Sequence, residues 1–208
     1  MNSGSGSAIV EAGEEAVLDR IADQDVTLAV WARPAPSGLA AWLDALPPEK
    51  LPDGRFVATP ADVPARLAAL CDLADLGDCP ARACLIDDVA DLAARFGRIS
   101  GASRVDLRIE ALDHDGCWRF HRDHVGMRLN ATYRGPGTQW PPLDQAARAL
   151  RAQRRYRGAL NELPRFAVGL FKGVQRAKAA AVVHRSPPLA GSGMTRLFLC
   201  INEEFSDD

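Results

Sequence analysis

The chain has 208 residues, 47% of them hydrophobic and 25% charged, with a formal net charge of −2. That balance suits one good-sized folded domain and excludes a disordered composition, a membrane span and a polyanion-binding surface covering the whole molecule. Five cysteines (Cys71, Cys79, Cys84, Cys117 and Cys200), with no basic-then-apolar signal ahead of them, point to reduced thiols and a cytoplasmic setting.

Residues 1–10 begin with a Gly/Ser-rich stretch and read as a disordered leader; residues 11–208 read as a single domain. Ala12 to Asp23 is acidic and modestly amphipathic and predicts a short helix. Val26 to Trp31 predicts a strand, stopped by Pro34 and Pro36. Gly38 to Leu46 has helical spacing and ends at Pro47-Pro48. Thr59-Pro60 is a helix start, with the helix running towards Leu76. Leu85, Val89, Leu92 and Phe96 recur at intervals of three and four, an amphipathic helix. Residues 11–97 are thus mainly helical.

From residue 98 the pattern changes. Val105 to Leu112 alternates apolar and charged residues, as a half-buried strand does. Asp113-His114-Asp115-Gly116 is turn chemistry, and Cys117 to Phe120 reads as the returning strand of a hairpin. Gly126 to Tyr133, Phe166 to Phe171, Ala180 to His184 and Arg196 to Ile201 complete the set of strands. An arginine-rich segment, Arg148 to Arg157, sits in a helical insertion near 143–160. Strands without regular βα alternation predict an α+β fold. A helical N-terminal layer would pack on a mostly antiparallel, jelly-roll or cupin-like core.

The candidate site lies in Phe120-His121-Arg122-Asp123. If this is a strand end, His121 and Asp123 project to one face, giving an imidazole and a carboxylate aimed at one point. His184 ends another strand 61 residues past Asp123, and Arg196 opens the next one, 12 residues further. Two histidines and a carboxylate make the facial triad that leaves half a metal's coordination sphere open. An arginine fork nearby suits a carboxylate ligand. His184 is also readable as a core histidine, and Tyr133 equally as a core aromatic or a hydrogen-bond donor to a bound carboxylate. Lys172 reads as a pocket-edge lysine. The arginine segment reads as a solvated face. With a slightly acidic chain and no aromatic interleaving beyond Tyr156, a nucleic-acid partner is not expected.

This arrangement resembles the Fe(II)/2-oxoglutarate oxygenase superfamily. There a His-x-Asp and a distant His hold iron on a double-stranded β-helix, and a basic residue about ten positions later pairs with the cosubstrate. The resemblance implies His121, Asp123 and His184 as metal ligands. It implies Arg196, with Tyr133 and Lys172, as cosubstrate contacts, and Fe(II) with 2-oxoglutarate as cofactors. Many members carry Ser or Thr two residues after the arginine, where this chain has Phe198, a departure that bears on the cosubstrate more than on the metal. Zinc is the alternative ion.

A closer resemblance is to the bacterial family called domain of unknown function 1826. It is carried by Phe120-His121-Arg122-Asp123, Thr132 to Trp140, Phe171-Lys172-Gly173, His184-Arg185-Ser186-Pro187-Pro188 and Arg196-Leu197, and spans the chain from about Val26 to Ile201. It implies a link to zinc homeostasis, so the alternative to an oxygenase is a non-enzymatic metal-binding accessory protein.

Overall fold

The computed structural model describes residues 9–204. Its centre is a seven-stranded sheet in the order β1-β2-β8-β5-β9-β4-β3. The strands are β1 (Ile9–Ala12), β2 (Leu28–Trp31), β3 (Gly54–Ala58), β4 (Arg104–Leu112), β5 (Met127–Arg134), β8 (Val168–Lys172) and β9 (Arg196–Glu204). All neighbouring pairs are antiparallel except β1 with β2. A separate two-stranded sheet joins β6 (Gln139–Trp140) to β7 (Asn161–Glu162). The molecule is therefore mixed α and β with a large, mostly antiparallel sheet, as expected.

Helices α1 (Leu39–Ala45), α2 (Val63–Leu73) and α3 (Pro80–Ser100) supply one side of the main core. The spacing of α3 gathers Leu85, Val89, Leu92 and Phe96 into one buried stripe. Its start is fixed by Pro80 and by the Cys79 thiol, which accepts from the Arg82 amide at 3.4 Å. Gly101 ends it in the left-handed region, at φ 80°. The stripe meets Val105, Leu107 and Ile109 of β4, Leu129, Ala131 and Tyr133 of β5, and Leu197, Leu199 and Ile201 of β9. Since a strand alternates faces, the residues between these point away from the helices: Arg108 and Glu110, Arg128, Asn130 and Thr132, and Arg196, Phe198 and Cys200. That second face carries the polar chemistry.

Several expectations need correcting. Residues 1–8 of the expected leader lie outside the described residues, while Ile9 and Val10 belong to β1, paired with Leu28 and Ala29. Between Ala12 and Asp23 the helix is of the 3-10 type, Glu15–Ala22. β3 was not foreseen, because its Gly54-Arg55 opening reads as a turn. Cys117 to Phe120 is not a hairpin strand: β4 is already paired on both edges, with β3 and β9, so the chain after Leu112 crosses to the other layer. Ala180 to His184 makes a single bridge rather than a strand. The basic insertion is one seven-residue helix, α4 (Ala146–Ala152), flanked by 3-10 turns. The short α5 (Val174–Ala177) follows β8.

Candidate metal centre

His121 is positioned from behind by Phe120. That ring packs with Ala149, Tyr156 and Val183. The Gln153 side chain accepts from the Phe120 amide at 2.9 Å and donates to its carbonyl at 3.0 Å. His121 and His184 then exchange both backbone hydrogen bonds, each 3.0 Å, across one antiparallel bridge. A pair bonded in this way places its side chains on the same side, and the two rings lie 4.6 Å apart. The convergence thus comes from pairing between distant segments, not from strand parity between His121 and Asp123.

Asp123 is held by its backbone. Its carbonyl accepts from Val174 N at 2.9 Å, and Gly173 N bonds to Gly126 O at 2.9 Å. A Cβ at position 173 would stand 2.1 Å from the Val125 carbonyl oxygen. Only glycine lets the end of β8 approach the metal loop so closely. In Phe171-Lys172-Gly173 the glycine is therefore the residue that serves the site.

The histidine ring nitrogens face defined partners. Nδ1 of His121 lies 2.8 Å from the Arg119 carbonyl, and Nδ1 of His184 lies 3.1 Å from the Val182 carbonyl. A carbonyl can only accept, so both Nδ1 atoms carry a proton, and each ring in its neutral form turns an Nε2 lone pair towards Asp123. Nε2 of His184 stands 3.2 Å from Asp123 Oδ2, and Nε2 of His121 stands 3.5 Å from Asp123 Oδ1. Oδ2 is buried without a hydrogen-bond partner. A lone pair facing a carboxylate oxygen is repulsive unless a proton on Nε2 or a metal ion lies between them. One ligand atom from each of the three residues falls within 4.8 Å of the others, the only such group among the described residues. A two-nitrogen, one-oxygen donor set on one side suits a divalent transition ion.

Burial pushes the Asp123 carboxyl up, but His184, His121 and Arg128 outweigh it and hold the group well below the usual carboxylate range. Burial likewise opposes charge on His121, yet the adjacent Asp123 raises that imidazole above its ordinary value.

Arg128 donates from Nη1 to Asp123 Oδ1 and from Nε to Asn202 Oδ1 at 2.7 Å. Asn202 in turn donates to Asp106 at 3.3 Å, and Arg55 grips both Asp106 oxygens at 2.7 and 2.8 Å. A continuous row of polar side chains thus runs across four strands and ends on the candidate metal carboxylate.

Beside the triad lies a cavity of about 130 Å³, lined by His121, His184, Asn130, Thr138, Ser186 and Phe198 among others. Arg196 stands behind its wall, fully buried. Its guanidinium donates to Ser186 at 3.0 Å and to Thr132 and Thr138 at 3.1 Å each, and stacks 4.1 Å from the Phe198 ring centroid. Nε is buried and unpartnered. No carboxylate lies within ion-pair distance among the described residues. Burial pushes this guanidinium down to about 10, with Glu162 and Glu110 opposing from further off, so it remains a cation at neutral pH. Ser186, Thr132 and Thr138 thus surround the guanidinium with three hydroxyls.

Tyr133 and Lys172 lie elsewhere, which corrects their expected place at the cosubstrate. Both are on the helix side of the sheet, because their parity is that of Leu129 and Leu170. The Tyr133 hydroxyl donates to Asp88 at 2.5 Å, and Asp88 is also gripped by both Arg33 amino groups. Burial, then Asp88, raises this phenol well above its ordinary value. Lys172 Nζ donates to the Asp23 carbonyl at 2.6 Å. His124 is exposed at the mouth of the site. Arg128, Asn130, the three hydroxyls around Arg196 and Gly173 were not foreseen as site residues. The available signal was polar residues at every second position of a strand whose alternate residues are core.

Fold and site together describe a sheet protein with a candidate three-ligand metal centre on its polar face. The chain belongs to the family described as "Protein of unknown function (DUF1826)", whose model matches residues 12–202. No curated protein matches the chain. Among solved structures it is similar to a prolyl-4-hydroxylase from Pseudomonas putida, at 17% identity and TM-score 0.37, covering 83% of this chain and 97% of that one. It is similar also to a full-length Neurospora crassa protein in complex with alpha-KG, at 11% identity and TM-score 0.43, covering 98% and 86%. AviO1 from Streptomyces viridochromogenes Tue57 gives 12% identity and TM-score 0.40, covering 91% and 94%. No helix among the described residues is long and apolar enough to cross a membrane.

Proposed function

We propose that the protein is a cytoplasmic non-haem Fe(II), 2-oxoglutarate-dependent dioxygenase, its large and small sheets forming a double-stranded β-helix. His121, Asp123 and His184 hold the metal, and Arg196 receives the distal carboxylate of the oxo-acid. The observation that carries this reading is a pair of unmet demands flanking one cavity. On one side, the buried Asp123 carboxylate and two imidazole Nε2 atoms converge on one point; on the other, a buried guanidinium has only hydroxyls for partners. A dicarboxylic oxo-acid chelating a metal ion answers both at once. Iron at such a centre supplies dioxygen activation coupled to decarboxylation of the oxo-acid. This chain's residues do the rest. The Arg119 and Val182 carbonyls fix the imidazole tautomers, Arg128 fixes the carboxylate, and Arg196 with its hydroxyls orients the cosubstrate.

The donor set equally suits zinc, which keeps a metal-binding accessory protein as the second reading. Arg196 separates the two, because a zinc carrier has no use for a buried arginine beside its ion. The deciding measurement is the metal content of protein purified without oxygen, followed by 2-oxoglutarate titration and carbon dioxide release. Ferrous iron with saturable oxo-acid binding supports the dioxygenase. Tight zinc with no oxo-acid response overturns it in favour of the accessory protein.

A further inference from the structure

The formal charge of −2 conceals two opposed parts. Residues 1–100 carry 16 Asp and Glu against 8 Lys and Arg, whereas residues 114–196, which include the metal centre, carry 15 Lys and Arg against 4 Asp and Glu. Of the basic residues in this second part, 13 are arginine.

In the first part Arg20, Arg33, Arg55, Arg82, Arg95 and Arg98 each meet a carboxylate, and in the second Arg128, Arg154, Arg165 and Arg176 do. No carboxylate among the described residues lies within ion-pair distance of Arg119, Arg122, Arg148, Arg151, Arg155 or Arg157.

These unneutralised arginines are carried by segments that border the opening above Asp123. Its walls include His121, Arg122, His124, Arg128, Phe120 and Leu150. Leu150 belongs to α4, and with Ala149 packs on Phe120. That leaves Arg148 and Arg151 exposed. Gln153 ties the turn after α4 to the Phe120 backbone, so the arginine segment is fastened to the residue beside His121. Arg154 and Arg119 rest on the Trp118 ring, 4.1 and 5.3 Å from its centroid, which holds both planar forks in place.

We propose that this rim binds single-stranded nucleic acid. Phosphates would lie along Arg119, Arg122, Arg148, Arg151, Arg155 and Arg157, and a base would enter the opening over His121 and Asp123. Arginine's fork matches phosphate oxygens. The number and spread of free guanidiniums exceed what one small anion can use. The opening is concave, and a duplex presents a base to such a site only by extruding it at a cost of about a few kcal/mol, which a single strand avoids. The expectation against a nucleic-acid partner rested on a net charge summed over the whole chain, whose first 100 residues are the acidic part. Delivery of a base to the metal rests on the oxygenase reading; binding to the rim does not.

The test is fluorescence anisotropy of a labelled oligodeoxythymidylate with the full-length protein, metal-free and ferrous-loaded without oxygen, as salt is varied. With about five phosphates contacted, log affinity should fall with log salt at a slope near −3.5, about a hundredfold between roughly 50 and 200 mM. The triple variant Arg148→Gln, Arg151→Gln, Arg155→Gln should flatten the slope by about 2 while melting unchanged, since all three side chains are exposed. Arg66→Gln, an exposed arginine of the helical layer without an ion pair, should leave it unchanged. Binding by the metal-free protein, with no oxygenase activity after loading, would retain this inference and remove the oxygenase reading. No binding at low salt, a slope near zero, or equal weakening by Arg66→Gln would overturn it. So would equal competition by a poly-glutamate peptide or by duplex DNA.

Discussion

Replacing Arg196 by Met separates a cosubstrate anchor from a structural arginine. The side chain is fully buried, makes three hydroxyl contacts and meets no carboxylate. In the protein without oxo-acid, a buried cation lacking a counter-ion is a burden. Exchanging such a charge for an apolar side chain of similar length is often neutral or stabilising, by about 1–4 kcal/mol. Against this stand three lost hydrogen bonds from a charged donor, each worth about 1.5–3 kcal/mol net, less what water in the cavity restores to the three hydroxyls. The loss exceeds the gain by a few kcal/mol at most, so Arg196→Met should melt modestly below the wild type. Oxo-acid binding should respond very differently. Removing one partner of a desolvated charge pair costs about 2–5 kcal/mol, or roughly 30-fold to several-thousand-fold in affinity. Arg196→Lys should recover only part, because a point charge does not reproduce the fork. The assays are thermal melting without ligand and calorimetric titration of 2-oxoglutarate into ferrous-loaded protein under nitrogen. A large fall in melting temperature with affinity unchanged would show that Arg196 braces the sheet and does not receive a ligand.

His121→Ala and Asp123→Ala should each abolish stoichiometric metal binding, while the exposed His124→Ala should retain it; equal loss in all three would mean the ligand set is wrong. Metal must displace a proton from His121, whose pKa is raised, so affinity measured by competition with a chelator should fall as pH drops from above the ordinary imidazole value near 6.5. Asp123, held low, stays ionised throughout, and a second loss near the carboxylate range would contradict that. Arg128→Ala frees the Asp123 carboxylate to turn and should weaken metal binding about 10- to 100-fold; a tightening would mean that repulsion between guanidinium and ion outweighs the orienting effect. Tyr133→Phe removes one hydrogen bond to a charged acceptor and should cost about 1.5–3 kcal/mol of stability, with metal and oxo-acid binding unchanged. Lost oxo-acid binding there would return Tyr133 to the cosubstrate.

How legible each part was depended on the range of the interaction that fixes it. α3 could be read because its stripe is local: Leu85, Val89, Leu92 and Phe96 declare a helix whatever surrounds them. The strand at Val105 to Leu112 could be read for the same reason, with a period of two. The return strand at Cys117 could not be rejected locally, since its turn residues suit a hairpin. What forbids it is β9, more than 80 residues away in sequence, which occupies the free edge of β4 along its whole length. Tyr133 and Lys172 failed at a different step. Strand parity placed Tyr133 with Leu129, but only the sheet's assembly decides which face meets the helices. Once α3 covers the Leu129 face, Tyr133 must satisfy its hydroxyl on Asp88, and Arg128 and Asn130 are left to line the cavity.

The candidate ligands were legible as residues but not as geometry. A His-x-Asp on a strand end would aim both side chains from one backbone. Here the aim is set by three separate devices: the bridge between His121 and His184, the glycine at 173 that seats the Asp123 loop, and the two carbonyls that fix the tautomers. Each comes from a different segment, so none leaves a periodic trace in the sequence. The hydroxyls around Arg196 make the same point. The pattern position two residues after the arginine is Phe198, which argues against a carboxylate pocket when read along the chain. In space the arginine is served by Thr132, Thr138 and Ser186 from three other segments. Phe198 is free to stack under the guanidinium plane and shut water out behind it. An absent residue at a motif position is therefore weak evidence against a site whose partners are recruited across a sheet.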